Sequence, residues 1–426
     1  MARQRAPRSR PRGQARARPQ NTLGFSCISI AHSSNMQNMS AGLLEWLVIG
    51  GGIHGTHLSH VLVTQRGESA ERVRVLDRES APLAVFWRCA EATGMPHMRS
   101  AGVHHLDIDP FSLLRFDERT KHRYGRLVPP YSRPQVSLFR AHCDHVIRTH
   151  KLDTLRLTAS TSSITKHEHG FRVETSRGVL DARRVVLALG AGDEVAVPSW
   201  AEAHRAFHVF HTSFTREAPI SGSSVAIVGG GISAVQLALA SSSRGLRPTI
   251  VARHALRVHP FDSDPGWLGA KYMSAFRASP NSTRRAQIER ARYRGSVPPD
   301  LGRALHRAIH RGAVRWVQAE VKELVDHGDS PITLVLDRAP DVVTADHLML
   351  ATGFARTRPG GRLIDNAITA LGLPCASCGF PVVGETLEWT PGLFVTGALA
   401  ELQLGPTARN IAGARAAGER LARSRP

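Results

Sequence analysis

No stretch of 18 or more apolar residues occurs in the 426-residue chain, so no membrane-spanning helix and no membrane partner are expected. Acid is missing from the first forty residues, where arginine recurs instead at Arg3, Arg5, Arg8, Arg10, Arg12, Arg16 and Arg18. Such a segment has no apolar face to bury, and residues 1–42 are read as a disordered basic tail. Three origins stay open for it: translation that starts at Met36 or Met39, a solvated tail, or an organelle-targeting peptide. Pro7, Pro11 and Pro19 argue against the amphipathic helix of such a peptide. Cysteine is scarce. Cys27, Cys89, Cys143, Cys375 and Cys378 form an odd, scattered set, which argues against a disulfide framework and for a reducing, cytoplasmic compartment. Aromatic residues make up only 6%, and none interleaves with a basic patch. The formal charge of +20 therefore points to no nucleic-acid partner. The 22 histidines include no HExxH and no close ligand cluster, so no metal site is expected; His204, His208 and His211 share a helical spacing but precede a strand in an aromatic stretch.

What the chain has is a glycine turn written twice. The first is Gly50-x-Gly52-x-x-Gly55, preceded by the apolar run Leu47-Val48-Ile49 and followed by a helical stretch ending near Gly67. Gly50 permits the tight turn, Gly52 lets the backbone approach a pyrophosphate, and Gly55 lets the helix pack on the strand. The free amides of the helix N-terminus then face the phosphates. A second strand, VRVLD, ends at Asp77, placed to accept hydrogen bonds from ribose hydroxyls. The second turn is Gly229-x-Gly231-x-x-Ala234, between a strand (Val225 to Val228) and a helix from Ser233. Here the next strand, PTIVARH, carries Arg253 where an NAD site has an acid. A guanidinium there grips a 2′-phosphate, which favours NADP; His254 and Arg257 are weaker candidates for the same role. Two turns with opposite charge at the ribose position imply two different dinucleotides, FAD at the first and NADP at the second.

Each glycine unit is followed by a β-rich stretch and an apolar strand ending in glycine, GVLDARRVVLALG at 178–190 and VVTADHLMLATG at 342–353. A last parallel strand is read in TPGLFVTG, 390–397, and a final helix opens at Gly405-Pro406-Thr407, its positive end aimed at the cofactor. The fold class is α/β, with two Rossmann-like dinucleotide-binding domains, the NAD(P) domain inserted in the FAD domain. The boundaries read as 43–217 for the first part of the FAD domain, 218–341 for the NAD(P) domain and 342–426 for the return segment.

Three stretches resemble the flavin-dependent monooxygenases of the two-dinucleotide-fold class, closest to the amine N-hydroxylases that act on lysine or ornithine. They are Asp346 to Phe354 with Pro359 beyond, His211-Thr212-Ser213-Phe214, and MRSAGVHHLDIDPFS at 98–112. The order of landmarks runs from residue 45 to 420. The resemblance implies that NADPH reduces FAD, that the reduced flavin forms a hydroperoxide with dioxygen, and that this oxygenates an amine or another soft nucleophile. It places Gly353, Gly397, Gly405 and Thr407 at the cofactors and Arg99, His104 and His105 at the flavin and substrate; no catalytic residue is named. The partners are a small-molecule substrate and dioxygen, and the oligomeric state stays open.

The chain departs from the family in three places. The lysine that holds a substrate carboxylate is replaced around His104-His105. FDSDPGWLGAKYM, 261–273, stands where an Asn-Glu pair is usual. Ala398 follows Gly397 where many flavoproteins have Asp, with Glu401 a possible substitute. The first two departures speak against an amino-acid substrate. Trp87 and Trp267 are read as core residues or as walls of the site. Two alternatives remain: a pyridine nucleotide–disulfide type reductase using Cys375-Ala-Ser-Cys378, and a non-catalytic nucleotide-binding module.

Overall fold

The computed structural model describes residues 42–190, 194–201, 206–211, 223–326, 328 and 331–424. The chain divides into two units, Met1–Asn38 and Met39–Pro426, and every described residue belongs to the second. The basic tail and most of the 211–214 stretch lie outside the described residues.

The strand Leu44–Ile49 pairs in parallel with Val73–Asp77 on one side and Gly178–Leu187 on the other. A strand covered on both faces requires an unbroken apolar run rather than alternation, which Leu47-Val48-Ile49 supplies. Arg156–Thr158 extends the sheet past Val73–Asp77, and Leu393–Val395 extends it past Gly178–Leu187, both in parallel. Glu388–Thr390 closes one edge antiparallel. A hairpin of Thr161–His167 and Gly170–Thr175 branches from Gly178–Leu187.

The second sheet is parallel throughout, in the order Arg315–Gln318, Arg247–Ala252, Ser224–Val228, His347–Leu350 and Ala206–His208. This shifts the domain limits read from the sequence. The second domain takes strands from both sides of 218–341, and the chain rejoins the first sheet only at Glu388–Thr390 and Leu393–Val395. The stretch 342–353 is two strands. Val342–Ala345 pairs antiparallel with Ile332–Leu336, which in turn pairs with Val321–Val325. Asp346 then breaks the run: its carboxylate accepts from the Ser224 amide and hydroxyl, both at 2.7 Å, and His347–Leu350 enters the parallel sheet.

The final helix spans Ile411–Arg423 and begins later than the Gly405-Pro406-Thr407 expectation. Gly405 has φ +78°, which ends the short helix Glu401–Leu404, and a further turn intervenes before Asn410. This helix lies against Ile53–Thr64. The approach needs Gly418, where a Cβ would stand 2.7 Å from His57 Nε2.

Candidate cofactor and active site

Both glycine turns have the backbone geometry that a dinucleotide cradle requires. Gly50 has φ +107° and lies so close to the neighbouring strand that a Cβ would meet the Ala188 carbonyl oxygen at 2.3 Å. Gly55 presses on Gly50 itself. Gly52, in contrast, opens on empty space. A position where backbone faces a void at a helix start is what an incoming pyrophosphate requires. The second turn repeats the arrangement. Gly229 has φ +146° against the Ala351 carbonyl, Gly231 faces Gly295, and Ala234 is fully buried. Asp77 ends its strand beside the first turn, accepting from the Gly51 amide and, at 2.8 Å, from the Glu79 amide. Arg156 places its guanidinium where a Gly51 Cβ would be and donates to the Glu79 carbonyl. Its Nε is buried without a partner, an unspent donor at the turn. These residues fit FAD at the first turn and a nicotinamide dinucleotide at the second.

Three helices start around one cavity. Ile53–Thr64, Ile232–Ser242 and Ile411–Arg423 each have no side-chain cap and no acid in the first turn. Their leading amides and dipole ends are therefore available to anionic groups. Their first residues, Ile53 and His54, Ile232 and Ser233, and Ile411 and Ala412, all line a cavity of about 470 Å³. Its other walls are mainly apolar, among them Phe86, Met95, Met98, Phe210 and Leu268. Phe210 stacks on Phe354 with centroids 4.9 Å apart and planes at 9°. Apolar walls of this kind disfavour water beside a reduced cofactor.

His54, which is not among the residues singled out from the sequence, sits inside the first glycine turn. Its Nδ1 is 2.8 Å from Thr396 Oγ1 and its Nε2 is 3.1 Å from the Asn410 carbonyl. Burial pushes its ring down to about 4, so it is neutral at physiological pH. It joins the first glycine turn to the last strand and the last helix; Gly397, with φ +62°, leaves room for the ring. Asn410 donates to Asp262 at 2.9 Å, which brings the 261–273 segment to the same cavity. The lone polar residue within an otherwise small turn was the available signal.

The residues expected at the flavin separate. His104 and Thr407 line the cavity. Arg99 borders it too, but its guanidinium is spent on carbonyls: His259 at 2.9 Å, Phe261 at 2.5 Å, Ser296 at 3.2 Å and the Ser296 hydroxyl at 2.8 Å. It ties the 98–112 segment to the second domain. His105 is a correction: it is fully buried, its Nε2 3.1 Å from the Pro110 carbonyl and its ring edge-on to His142, so it holds the loop and does not line the cavity. Gly405 is another, because its open face abuts Met273. Gly353, with φ +81°, turns the chain out of the second sheet, and its carbonyl accepts from Ala196. Glu401 does not replace the missing Asp. It is buried and ion-paired with Arg285 at 2.6 Å and Arg409 at 2.9 Å. Burial alone would raise its carboxyl, but these two cations hold it below the usual range. Trp87 packs in the core against Phe139, and Trp267 against Phe276.

The thiols are equally decisive. Cys375 is exposed and Cys378 half-buried in a turn away from the cavity, and neither is in a disulfide. Cys89 does line the cavity, where burial raises its thiol above the ordinary value and disfavours the reactive thiolate.

A second cavity of about 420 Å³ is lined by Arg257, Arg292, Arg294 and Arg356 with His259, Tyr293 and Glu289. It adjoins the second glycine turn through Gly295, whose neighbour is Gly231. Burial lowers Arg294, and Arg292, Arg356 and Arg409 lower it further by repulsion. Arg253 is exposed just beyond its strand and does not line this cavity, whereas Arg257 does. The alternating arginines of RARYRG, 290–295, were the signal for this basic cavity.

The fold is that of the two-dinucleotide flavoproteins, with the second Rossmann-like domain inserted in the first. The family described as pyridine nucleotide-disulphide oxidoreductase matches residues 132–279. Among solved structures, the chain resembles the FAD-bound cadaverine monooxygenase of desferrioxamine biosynthesis from Erwinia amylovora, with 15% identity, 89% of this chain and 93% of that one covered, and a TM-score of 0.70. It resembles the ornithine hydroxylase of Pseudomonas aeruginosa at 16% identity, 89% and 98% coverage and a TM-score of 0.69. The bacillithiol disulfide reductase of Bacillus cereus follows the same fold at 18% identity, 89% and 97% coverage and a TM-score of 0.57. No curated protein sequence matches. Among the described residues, no helix is long and apolar enough to cross a membrane.

Proposed function

We propose that the chain is an FAD- and NADPH-dependent monooxygenase that oxygenates an amine or another soft nucleophile. The observation that carries this reading is the convergence of three uncapped helix starts on one largely apolar cavity that contains no pair of thiols. Gly50, Gly52, Gly55, Asp77 and Arg156 hold FAD. Gly229, Gly231 and Ala234 with the arginine-lined cavity hold NADPH. The bound cofactors supply hydride transfer and dioxygen activation: substrate, NADPH, a proton and dioxygen give oxygenated substrate, NADP and water. The chain's part is to align the cofactors, neutralise their phosphates and exclude water. An FAD-bound cadaverine monooxygenase and an ornithine hydroxylase, both of similar fold, agree with this. Among the described residues, no lysine lines the cavity, and its arginines Arg99 and Arg409 are committed to carbonyls and to Glu401. Among the described residues a substrate carboxylate has no free cation there, and the reading favours amines that lack one. A reducing, cytoplasmic setting fits the four free thiols among the described residues.

The test is NADPH oxidation and dioxygen uptake by the FAD-loaded protein with mono- and diamines against lysine and ornithine, with the product assayed as hydroxylamine. Amine-dependent hydroxylamine formation is expected. The disulfide-reductase reading keeps one observation in its favour, the family match over 132–279. Turnover of low-molecular-weight disulfides without oxygen uptake would establish it instead.

A further inference from the structure

Two turns down the helix Ile53–Thr64 from the first glycine cradle, three ligand-type side chains from separate elements meet. They are His60 on that helix, Asp107 in the loop that follows His105, and His150, the residue that ends the helix Val136–Thr149. Their donor atoms all lie within 4.8 Å of one another. His60 Nδ1 stands 4.0 Å from the Asp107 carboxylate, too far for a hydrogen bond, and the His60 and His150 rings are 4.1 Å apart. His60 is 1% exposed, and its Nδ1 has no hydrogen-bond partner. A buried imidazole nitrogen aimed at a carboxylate it does not touch leaves a gap between donors rather than a contact.

We propose that His60, Asp107 and His150 form a binding site for one divalent transition-metal ion, Zn²⁺ being the best match. Two imidazoles and a carboxylate are a zinc-type donor set, and a solvent molecule on the partly exposed His150 side completes a tetrahedron. Ligand distances of about 2.0–2.2 Å require the three side chains to close by roughly an ångström, within reach of small side-chain rotations. The surroundings hold the carboxylate as outer partners of a metal ligand do. The Ile108 amide donates to Asp107 at 2.7 Å, and Ser112, itself 2.7 Å from His142 Nε2, hydrogen-bonds the same carboxylate. Arg415 of the last helix clamps the carbonyls of Asp107 and Ile108. The ion would staple three elements beside the segment that carries His104 into the cavity. This site is separate from both nucleotide cradles and from the oxygenation chemistry.

The experiment uses the FAD-loaded protein in a Cys375→Ser, Cys378→Ser background, so that zinc on those thiols does not count. The protein is stripped with a chelator, dialysed against low-micromolar Zn²⁺, and its metal counted by mass spectrometry alongside melting curves. One zinc per chain and a higher melting temperature are expected. Co²⁺ in its place should give tetrahedral d–d bands at wavelengths beyond the flavin absorption. His150→Ala, at a partly exposed position, and Asp107→Asn, which preserves shape, should each weaken zinc binding by more than about tenfold while flavin content stays the same, since even outer partners of a metal ligand are worth about ten- to a hundredfold. The absence of retained zinc in the parent protein overturns the proposal, and so does equal retention by both variants.

Discussion

Arg253 and Arg294 are rival candidates for recognising the 2′-phosphate of NADPH. Arg253 holds the strand-end position at which a ribose acid sits in an NAD site, while Arg294 faces a cavity where like charges crowd beside the second glycine turn. A charge cluster of that kind is relieved by an anion. Arg294→Ala is expected to weaken NADPH by about 1.5–3 kcal/mol, roughly ten- to a hundredfold, with NADH nearly unchanged. Arg253→Ala should have the smaller effect. Rates of flavin reduction at varied NADPH and NADH separate the two, and equal losses for both nucleotides would assign Arg294 to the pyrophosphate or to structure. His54 makes a different prediction. Its folded value, about 4, lies below the ordinary value of 6.5. The unfolded chain therefore takes up a proton first as pH falls. Stability is complete above about pH 6.5 and declines down to about pH 4, by up to about 3 kcal/mol from this ring. His54→Asn, which retains a polar group towards Thr396, should flatten the slope of melting temperature against pH in that window. Other buried histidines act in the same direction and cancel in the comparison. An unchanged slope would mean that the folded His54 ring takes up its proton over the same pH range as the unfolded one.

At the scale of the element, two glycines three residues apart should fail in opposite ways. A Cβ at Gly55 would overlap the Gly50 carbonyl, whereas one at Gly52 meets nothing. Gly55→Ala should lower the melting temperature of flavin-free protein, because the helix Ile53–Thr64 must move off its strand. Gly52→Val should leave flavin-free protein folded and abolish FAD retention, read from absorbance after gel filtration. Both turns were legible in the sequence because strand, glycines and helix are consecutive, and local spacing alone carries the signal. The stretch 342–353 reads as one strand because two apolar strands in succession share a period of two; Asp346, the residue that separates them, is the clue. The cavity was not legible as a unit. Its walls come from residues near 53, 86–104, 210, 232–236, 261–268 and 407–412, and only the packing of two sheets joins them. His105 failed for the related reason that adjacent residues in a loop face opposite ways: His104 turns to the cavity and His105 into the core.

For the whole molecule, the number of electrons it accepts decides between the two enzyme classes. FAD alone takes two, and a redox disulfide in contact with it takes two more. Cys375 and Cys378 lie in a turn closed by a bridge from Cys375 to Pro381, apart from the cavity where the three helix starts meet. Burial raises the Cys375 thiol, so the environment does not favour a thiolate there. The cavity's own thiol, Cys89, has no second cysteine among the residues that line it. An anaerobic dithionite titration of the FAD-loaded chain should therefore end near two electrons per flavin. The Cys375→Ser, Cys378→Ser protein should give the same end point and keep its NADPH-dependent oxygen uptake. An end point near four electrons in the parent that falls to two in the double variant would move the chain to the disulfide reductases, whatever its oxygen consumption. An end point of four that survives the double variant would require Cys89 to be oxidised, as a sulfenic acid or a mixed disulfide that takes two electrons to return to the thiol, and Cys89→Ser would then have to restore two.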